Sequence, residues 1–333
     1  MNNSTRESEN KPFDVVVMGE ILVEVATEVA FAHGVPAQLG ISGDALNVAA
    51  AAAAAGARVG LLAVLTDDDL GKAIAARIVE LGISPDLLAF RTGQQGVYLV
   101  HCDPHGQREF SYARSGSVGS SLGPDDVDPA LFSAAGAVVA GGIACAISAS
   151  SRAAVVKAAG FARHFVFDPN FRPRLTSVAD ATAALLELAP RTFLVTPSFP
   201  GETTALLGSS TAAEAAAKLR SLGAVNVAVT CGAEGIQLEG DGQDSAWIDA
   251  IPAPAVVDQT GAGDAFVGTL TARMVLGDAL PVAARYGAAA ASLVVGGKGG
   301  TGFIPTLEQT RAHAGLAGST AVAPSEGAQP SHA

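Results

Sequence analysis

Short apolar runs alternate with alanine-rich helical stretches along most of this chain, and that alternation limits its fold more tightly than any single residue does. Residues 14–18, 59–65, 137–140, 165–168, 193–196 and 225–230 each read as a short strand bounded by turn formers. Residues 43–55 are helical by composition, Asp67-Asp68-Asp69 opens a helix reaching about Leu81, and residues 261–276 and 281–295 close the pattern as helices. Strands that alternate with helices favour a parallel sheet covered by helices. With 333 residues and 49% hydrophobic content, the chain can build one large α/β domain or two smaller ones. No repeat or long linker divides it.

Two regions interrupt the alternation. Residues 21–39 and 94–113 read as antiparallel strands attached to the parallel core, and Asp103-Pro104-His105-Gly106 in the second is a hairpin signal. The polar segment 1–12 and the segment 314–333, rich in Ala, Gly, Ser and Pro, are expected to be disordered ends. That leaves 13–313 as the folded domain.

The segment Asp258-Gln259-Thr260-Gly261-Ala262-Gly263-Asp264-Ala265-Phe266 puts two glycines and a carboxylate where an apolar helix begins. A helix N-terminus presents unpaired N–H groups and about half a positive charge, which suits phosphate. Gly261 and Gly263 lack Cβ atoms, so the backbone there can come close to a ligand. Asp264 would repel a polyphosphate unless it accepts the proton of a hydroxyl that attacks the terminal phosphorus. The other reading is a Gly-rich turn in which Asp264 caps the helix.

This stretch resembles the D-T-x-G-A-G-D-x-F signature of the ribokinase-like, PfkB-type carbohydrate kinases. Ser42-Gly43-Asp44-Ala45-Leu46-Asn47 resembles that family's G-G-x-x-x-N sugar-binding motif, with Ser42 in place of the first glycine, and Val229-Thr230-Cys231-Gly232-Ala233-Glu234-Gly235 resembles its T-x-G-x-x-G nucleotide turn. The matches keep the family's order from roughly residue 14 to 305. The resemblance implies a three-layer α/β/α core with a mainly parallel sheet, and a small β lid made by 21–39 and 94–113. It implies that Gly43, Asp44 and Asn47 hold sugar hydroxyls, and that ATP lies over Thr230, Gly232 and Gly235 with its adenine near Ala288 and Ala291. Asp264 would be the general base, and the amides of Gly261, Ala262 and Gly263 would stabilise the transferring phosphoryl group. A lid suits a kinase because excluding water prevents hydrolysis of ATP. The resemblance also allows a monovalent cation (K+) near residues 256–258 and a homo-oligomer formed through the lid. The apolar stretch 21–25 suits such pairing, whereas Glu24 and Glu28 would blunt an exposed edge.

Substrate identity rests on Tyr98, on Tyr112-Ala113-Arg114-Ser115-Gly116-Ser117 and on Asp168-Pro169-Asn170-Phe171-Arg172-Pro173. These resemble the Tyr, Tyr-x-Arg and D-P-N-x-R-P elements of the 2-keto-3-deoxygluconate kinase branch. Tyr98, Tyr112, Arg114 and Arg172 are the residues carried over. Two converging guanidinium forks suit a carboxylate, and each charge-assisted hydrogen bond is worth about 1.5 to 3 kcal/mol. The implied reaction is transfer of the γ-phosphate of ATP to the primary hydroxyl of a sugar acid. Fructokinases and other ketose or nucleoside kinases share part of the layout. Each residue also has an ordinary reading: Tyr98 and Tyr112 as strand core, Arg114 as a surface ion pair, Arg172 as a partner of Asp168 or of a helix C-terminus.

The family orders Mg2+ with an N-x-x-E element acting through water. This chain has Thr196-Pro197-Ser198-Phe199-Pro200-Gly201-Glu202, with Ser198 at the Asn position and one more residue before the acid. Glu202 is the candidate magnesium contact through water, or else a first-turn carboxylate stabilised by the helix dipole.

Other classes fit less well. A net charge of -12, from 20 basic and 32 acidic residues, opposes nucleic acid as a partner. Cys102, Cys145 and Cys231 have neither zinc-site nor disulfide-framework spacing, which suits reduced thiols in a cytoplasm. No signal peptide opens the chain, and the alanine runs 49–55 and 288–291 fall short of the roughly 20 apolar residues of a membrane span. There is no G-x-x-x-x-G-K-[ST] P-loop, and Met18-Gly19-Glu20-Ile21 does not fit a dinucleotide-binding G-x-G-x-x-G. A sensor that keeps the fold without chemistry is the reading opposed by an intact Asp264.

Overall fold

The apolar side chains of the first core strands point alternately to opposite sides, so both sides require cover. Val15, Val17, Val59, Leu61, Ala63 and Leu65 belong to one buried cluster, while Val16, Met18, Leu62 and Val64 belong to another. In the computed structural model, which describes residues 12–102 and 108–316, helices supply that cover. Asp44–Ala54, Asp69–Glu80, Ala262–Val275 and Leu280–Val294 contribute Leu46, Ile74, Leu270 and Ala283 to the first cluster. Pro129–Ala134, Ala149–Phe161, Val178–Leu188, Gly201–Leu207 and Ala212–Ser221 contribute Phe132, Val155, Leu185, Leu206 and Leu219 to the second. The result is the expected α/β/α sandwich.

The strands are β1 (Val15–Met18), β2 (Leu22–Thr27), β3 (Gln38–Ser42), β4 (Val59–Thr66), β5 (Leu88–Arg91), β6 (Val97–Cys102), β7 (Arg108–Ala113), β8 (Ala137–Gly141), β9 (Phe165–Asp168), β10 (Thr192–Val195), β11 (Asn226–Thr230), β12 (Gly235–Gly240) and β13 (Gln243–Asp249). Nine form one sheet in the order β13-β12-β11-β10-β9-β8-β1-β4-β5. Pairing is parallel from β11 to β5 and antiparallel at β11-β12-β13. From β1 the chain first builds outward through β4 and β5, then returns to β8 on the other side of β1 and builds the opposite way. Ligands of open α/β sheets bind at such a reversal, beyond the carboxyl ends of the strands.

The lid is a separate sheet in the order β3-β2-β6-β7. Its pairing is antiparallel at β2-β3 and β6-β7, but β2 runs parallel to β6, with Val23 opposite Val97. Wholly antiparallel strands were therefore only partly right. The reason is connectivity: β2 and β6 come from two separate excursions out of the core, and only the members of each excursion are joined by a short return. β2 is also interior, so residues 21–25 and Glu24 lie on no exposed edge; the lid's edges are β3 and β7. The Asp103-Pro104-His105-Gly106 turn lies outside the described residues, as do 1–11 and 317–333. At the C-terminal end the packed chain passes 313, because Ala314 is fully buried and its carbonyl accepts Arg285 Nε at 2.6 Å.

Small residues let the helices Asp44–Ala54 and Ala262–Val275 touch. A Cβ on Gly268 would overlap the Val48 carbonyl oxygen and lie 3.0 Å from Ala51 Cβ. Gly160, in the helix Ala149–Phe161, faces open space. Gly268→Ala is expected to destabilise the protein by about 1 to 3 kcal/mol through overpacking, and Gly160→Ala to stabilise it by about 0.5 to 1 kcal/mol. Urea denaturation of the two variants checks both signs.

Candidate active site

The carboxyl ends of β1, β8, β9, β10 and β11 open into a cleft of about 880 Å3 roofed by the lid. That volume is in the range of a small-molecule site. Gly43, Asp44, Asn47, Tyr98, Tyr112, Arg114, Arg172, Ser198, Glu202, Thr230, Gly261, Gly263 and Asp264 all line it.

The helix Ala262–Val275 begins at Gly261, whose φ of 82° is left-handed and whose Cβ would stand 3.1 Å from the Gly300 carbonyl oxygen. Only glycine fits both demands. Asp264 is in the first turn and makes no capping bond, which removes the helix-cap reading. Its Oδ2 accepts instead from Asn47 Nδ2 at 2.8 Å, and Asn47 Oδ1 faces Ser42 Oγ at 3.5 Å. Asn47 comes from the helix that starts after Gly43, where φ is 134° and a Cβ would press on the Glu20 carbonyl oxygen. Two distant motifs thus meet in one hydrogen bond.

Desolvation, then the neighbouring Asp44, pushes the Asp264 carboxyl up to about 7, against the pull of Asn47 and Arg172. Burial also raises Asp44, which Arg114 and Arg172 partly offset. Asp168 at the end of β9 is pushed well above the usual carboxylate range by burial and by Glu202 and Asp264. Carboxylates crowded together away from water cannot all ionise at the usual pH.

Glu202 is buried and joins two loops: Oε1 accepts Phe171 N at 2.6 Å and Oε2 accepts Ser198 N at 2.7 Å. It sits in the first turn of Gly201–Leu207, as the dipole reading expects. Ser198 is bridged to Thr230 at the end of β11. Among the described residues no group of three or more His, Cys, Asp or Glu is placed to hold a metal.

Arg114 is ion-paired with the buried Glu20 and is itself only 14% exposed, so the pair is not a surface one. Its Nε is buried and has no protein acceptor. Arg172 is exposed to the cleft and donates to the Phe171 carbonyl at 3.2 Å. Tyr98 is buried in the lid's own apolar cluster and hydrogen-bonded to Glu24, so it is strand core and cleft wall at once. Tyr112, 46% exposed, is not core.

Five expected residues are not among those that line the cleft. Ala262 does not line it, and its amide leans toward the Gln259 carbonyl at 3.4 Å. Gly232 and Gly235 shape the turn into β12; a Cβ on Gly235 would overlap the Ile248 carbonyl oxygen. Ala288 and Ala291 pack against the core on Leu280–Val294. Conversely, Glu20, Asp168, Asn170, Arg174 and Thr196 belong to the site or its frame and were not singled out. Asp168 and Asn170 lay within the D-P-N-F-R-P stretch, and Asn170 takes a positive φ of 39° that Asn tolerates. Arg174, two residues beyond Arg172, donates to the Phe110 carbonyl of β7 at 3.0 Å and ties the loop to the lid. Glu20 was a lone charge in an apolar run after the first strand.

The sequence pattern of the pfkB family carbohydrate kinases matches residues 13–307. The chain belongs to that family. This kinase is 37% identical over 270 residues to the 2-dehydro-3-deoxygluconokinase of Thermoproteus tenax, covering 80% of this chain and 82% of that one. The crystal structure of a PfkB protein from Polaromonas sp. JS666 matches it with a TM-score of 0.80 at 27% identity, covering 90% of this chain and 99% of the other. A putative ribokinase II from E. coli, solved in complex with ATP and Mg2+, shares the fold with a TM-score of 0.81 at 23% identity, over 91% and 99% of the two chains. No helix among the described residues of the kinase is long and apolar enough to cross a membrane.

The raised Asp264 carboxyl has a consequence for stability. A folded value of about 7 against an ordinary 3.8 means that the native state holds this proton more tightly than the unfolded chain does. Stability from this group is complete below about pH 4 and is lost as pH rises through about 7. Asp264→Asn should therefore match the wild type near pH 4 and exceed it by about 1 to 3 kcal/mol at pH 8, as thermal unfolding at the two pH values would register.

Proposed function

We propose that this kinase transfers the γ-phosphate of ATP to the primary hydroxyl of a sugar acid, 2-keto-3-deoxygluconate (2-dehydro-3-deoxygluconate). The observation that carries the reading is that Arg114 and Arg172 line one cleft together with Asp264. A substrate carboxylate complements two such guanidinium groups. A neutral sugar offers no matching charge. The 37% identity to a 2-dehydro-3-deoxygluconokinase supports the same substrate.

In this reading Asp44 and Asn47 orient the hydroxyls, and Tyr98 and Tyr112 pack beside the carbon chain. Asp264 takes the proton of the primary hydroxyl as that oxygen approaches phosphorus. Asn47 keeps the carboxylate turned toward the cleft through its 2.8 Å bond. The first-turn amides of Gly263 and Asp264, having no intrahelical acceptors, face the charge that develops on the phosphoryl oxygens. Gly261 and Gly263 line that wall. The lid, tied down by Arg174, keeps water from the phosphoryl group.

Magnesium supplies charge neutralisation of the phosphates when bound. Asp168 and Glu202 line the cleft, and with Glu202 already bonded to two amides the pair fits a hydrated ion held mainly by the nucleotide. ATP chemistry of this kind suits a cytoplasmic enzyme.

The test is ADP release with ATP and Mg2+ across 2-keto-3-deoxygluconate, its galactonate-derived epimer, fructose, ribose and adenosine. The sugar acid is expected to have the highest kcat/KM, and Arg114→Ala or Arg172→Ala to lower it by about tenfold to a hundredfold, the worth of one or two charge-assisted bonds. A preference for fructose or ribose would discard the clamp.

Asp264→Asn is expected to lower kcat by about a hundredfold or more while ATP still binds. Because the base must be ionised, kcat/KM of the wild type should rise with pH up to about 7 and then level off. Wild-type turnover in the Asn variant would remove Asp264 from the reaction.

A further inference from the structure

We propose that Glu20 is a positioning residue for the carboxylate clamp: from the base of the lid it holds the Arg114 guanidinium in its binding orientation before substrate arrives. The inference rests on the sugar-acid reading above. Glu20 stands where the chain leaves β1 of the core and enters β2 of the lid, and its side chain is 1% exposed. Arg114 lies at the far side of the lid, directly after β7.

Both oxygens of Glu20 are engaged. Oε2 accepts Arg114 Nη2, and Oε1 accepts the Ser117 hydroxyl. Ser117 N also donates to the Arg114 carbonyl at 3.1 Å, so the short turn 114–117 is anchored at both ends to one carboxylate. Two glycines keep this niche open. A Cβ on Gly96 would stand 2.8 Å from Glu20 Oε1, and one on Gly119 would press on Glu20 Cγ. On another side the Tyr112 ring lies 5.9 Å from the Arg114 guanidinium carbon.

An arginine free in a cleft loses rotamer freedom when it binds a ligand, and that loss weakens binding. Glu20 removes it in advance by holding Nη2 while Arg114 lines the cleft. The pairing partly offsets the charge of Arg114, so the fixed direction of its donors adds to charge in selecting the substrate. A purely structural role, in which Glu20 only compensates a buried cation, predicts a different pattern.

The discriminating experiment is calorimetric titration of 2-keto-3-deoxygluconate into the full chain without ATP or Mg2+, with Tm measured in parallel. Glu20→Ala is expected to weaken binding about tenfold, as Arg114→Ala does, and the double variant to bind no more weakly than Arg114→Ala alone. Glu20→Gln, which keeps an acceptor for Arg114, should restore affinity to within about threefold of wild type. Ser117→Ala leaves no charge unpaired and serves if Glu20→Ala does not fold. It should weaken binding about twofold to threefold, and not at all in the Arg114→Ala background.

Additive losses in the double variants, or Glu20→Ala and Ser117→Ala with lowered Tm but wild-type affinity, would overturn the positioning role. If Arg114→Ala itself binds the sugar acid like the wild type, the clamp fails and the role of Glu20 fails with it. A loss in Arg114→Ala with none in Glu20→Ala or Ser117→Ala removes Glu20 alone.

Discussion

Burial of the central strands on both faces is the constraint from which the rest of this kinase follows. β1 and β4 direct alternate side chains into two separate apolar clusters, and neither cluster is closed without helices. Helices on both sides push every connection to the ends of the strands, where backbone groups meet water or a ligand. Because the chain builds first to one side of β1 and then to the other, the connections diverge at the β1/β8 boundary and leave a crevice there. The reacting groups occupy that crevice for topological reasons, before any chemistry is considered.

Electrostatics in the crevice is a balance of crowded acids against three guanidinium groups. Asp44, Asp168 and Asp264 are all raised by burial and then by neighbouring acids, Asp44 by Glu20, Asp168 by Glu202 and Asp264, and Asp264 by Asp44, while Arg114, Arg172 and Arg174 line the same walls. Such an arrangement opposes full ionisation, which is how a carboxylate is brought near neutral pH to act as a base. It also holds native-state free energy in the site that a neutral substitution would release, the usual tension between stability and activity. Glu20 and Glu202 have a different part. Each is buried and bonds to at least one segment remote in sequence, Glu20 to 114–117 and Glu202 to Phe171, so each fixes the relative position of loops that carry substrate-facing side chains.

Much of the core was legible beforehand. β4, β8, β9 and β11 fall within a residue of the expected runs, because a strand buried on both faces is a short continuous apolar stretch with turn formers on each side. β5, β12 and β13 were not anticipated: β5 has four residues, β13 is largely exposed, and β12 is placed by the antiparallel neighbours it pairs with. The parallel β2-β6 contact was invisible for the same reason, since it joins residues 74 positions apart, as Val23 and Val97 are. In the site, Asp264, Asn47, Arg114 and Arg172 announced themselves as polar residues in motifs. Gly235, Ala288 and Ala291 occupied motif or helix positions, but packing explains where they stand.

What the sequence determined by itself was the class of fold, through hydrophobic periodicity, and the presence of an anion-binding helix start with a carboxylate, through Gly261, Gly263 and Asp264. These are local properties, carried by residues a few positions apart. Only the tertiary structure decided that Asn47 meets Asp264 across 217 positions and that Glu20 holds Arg114 across 94. Each of those outcomes depends on how separate segments pack, and no spacing along the chain encodes the distance at which two side chains meet in the folded protein.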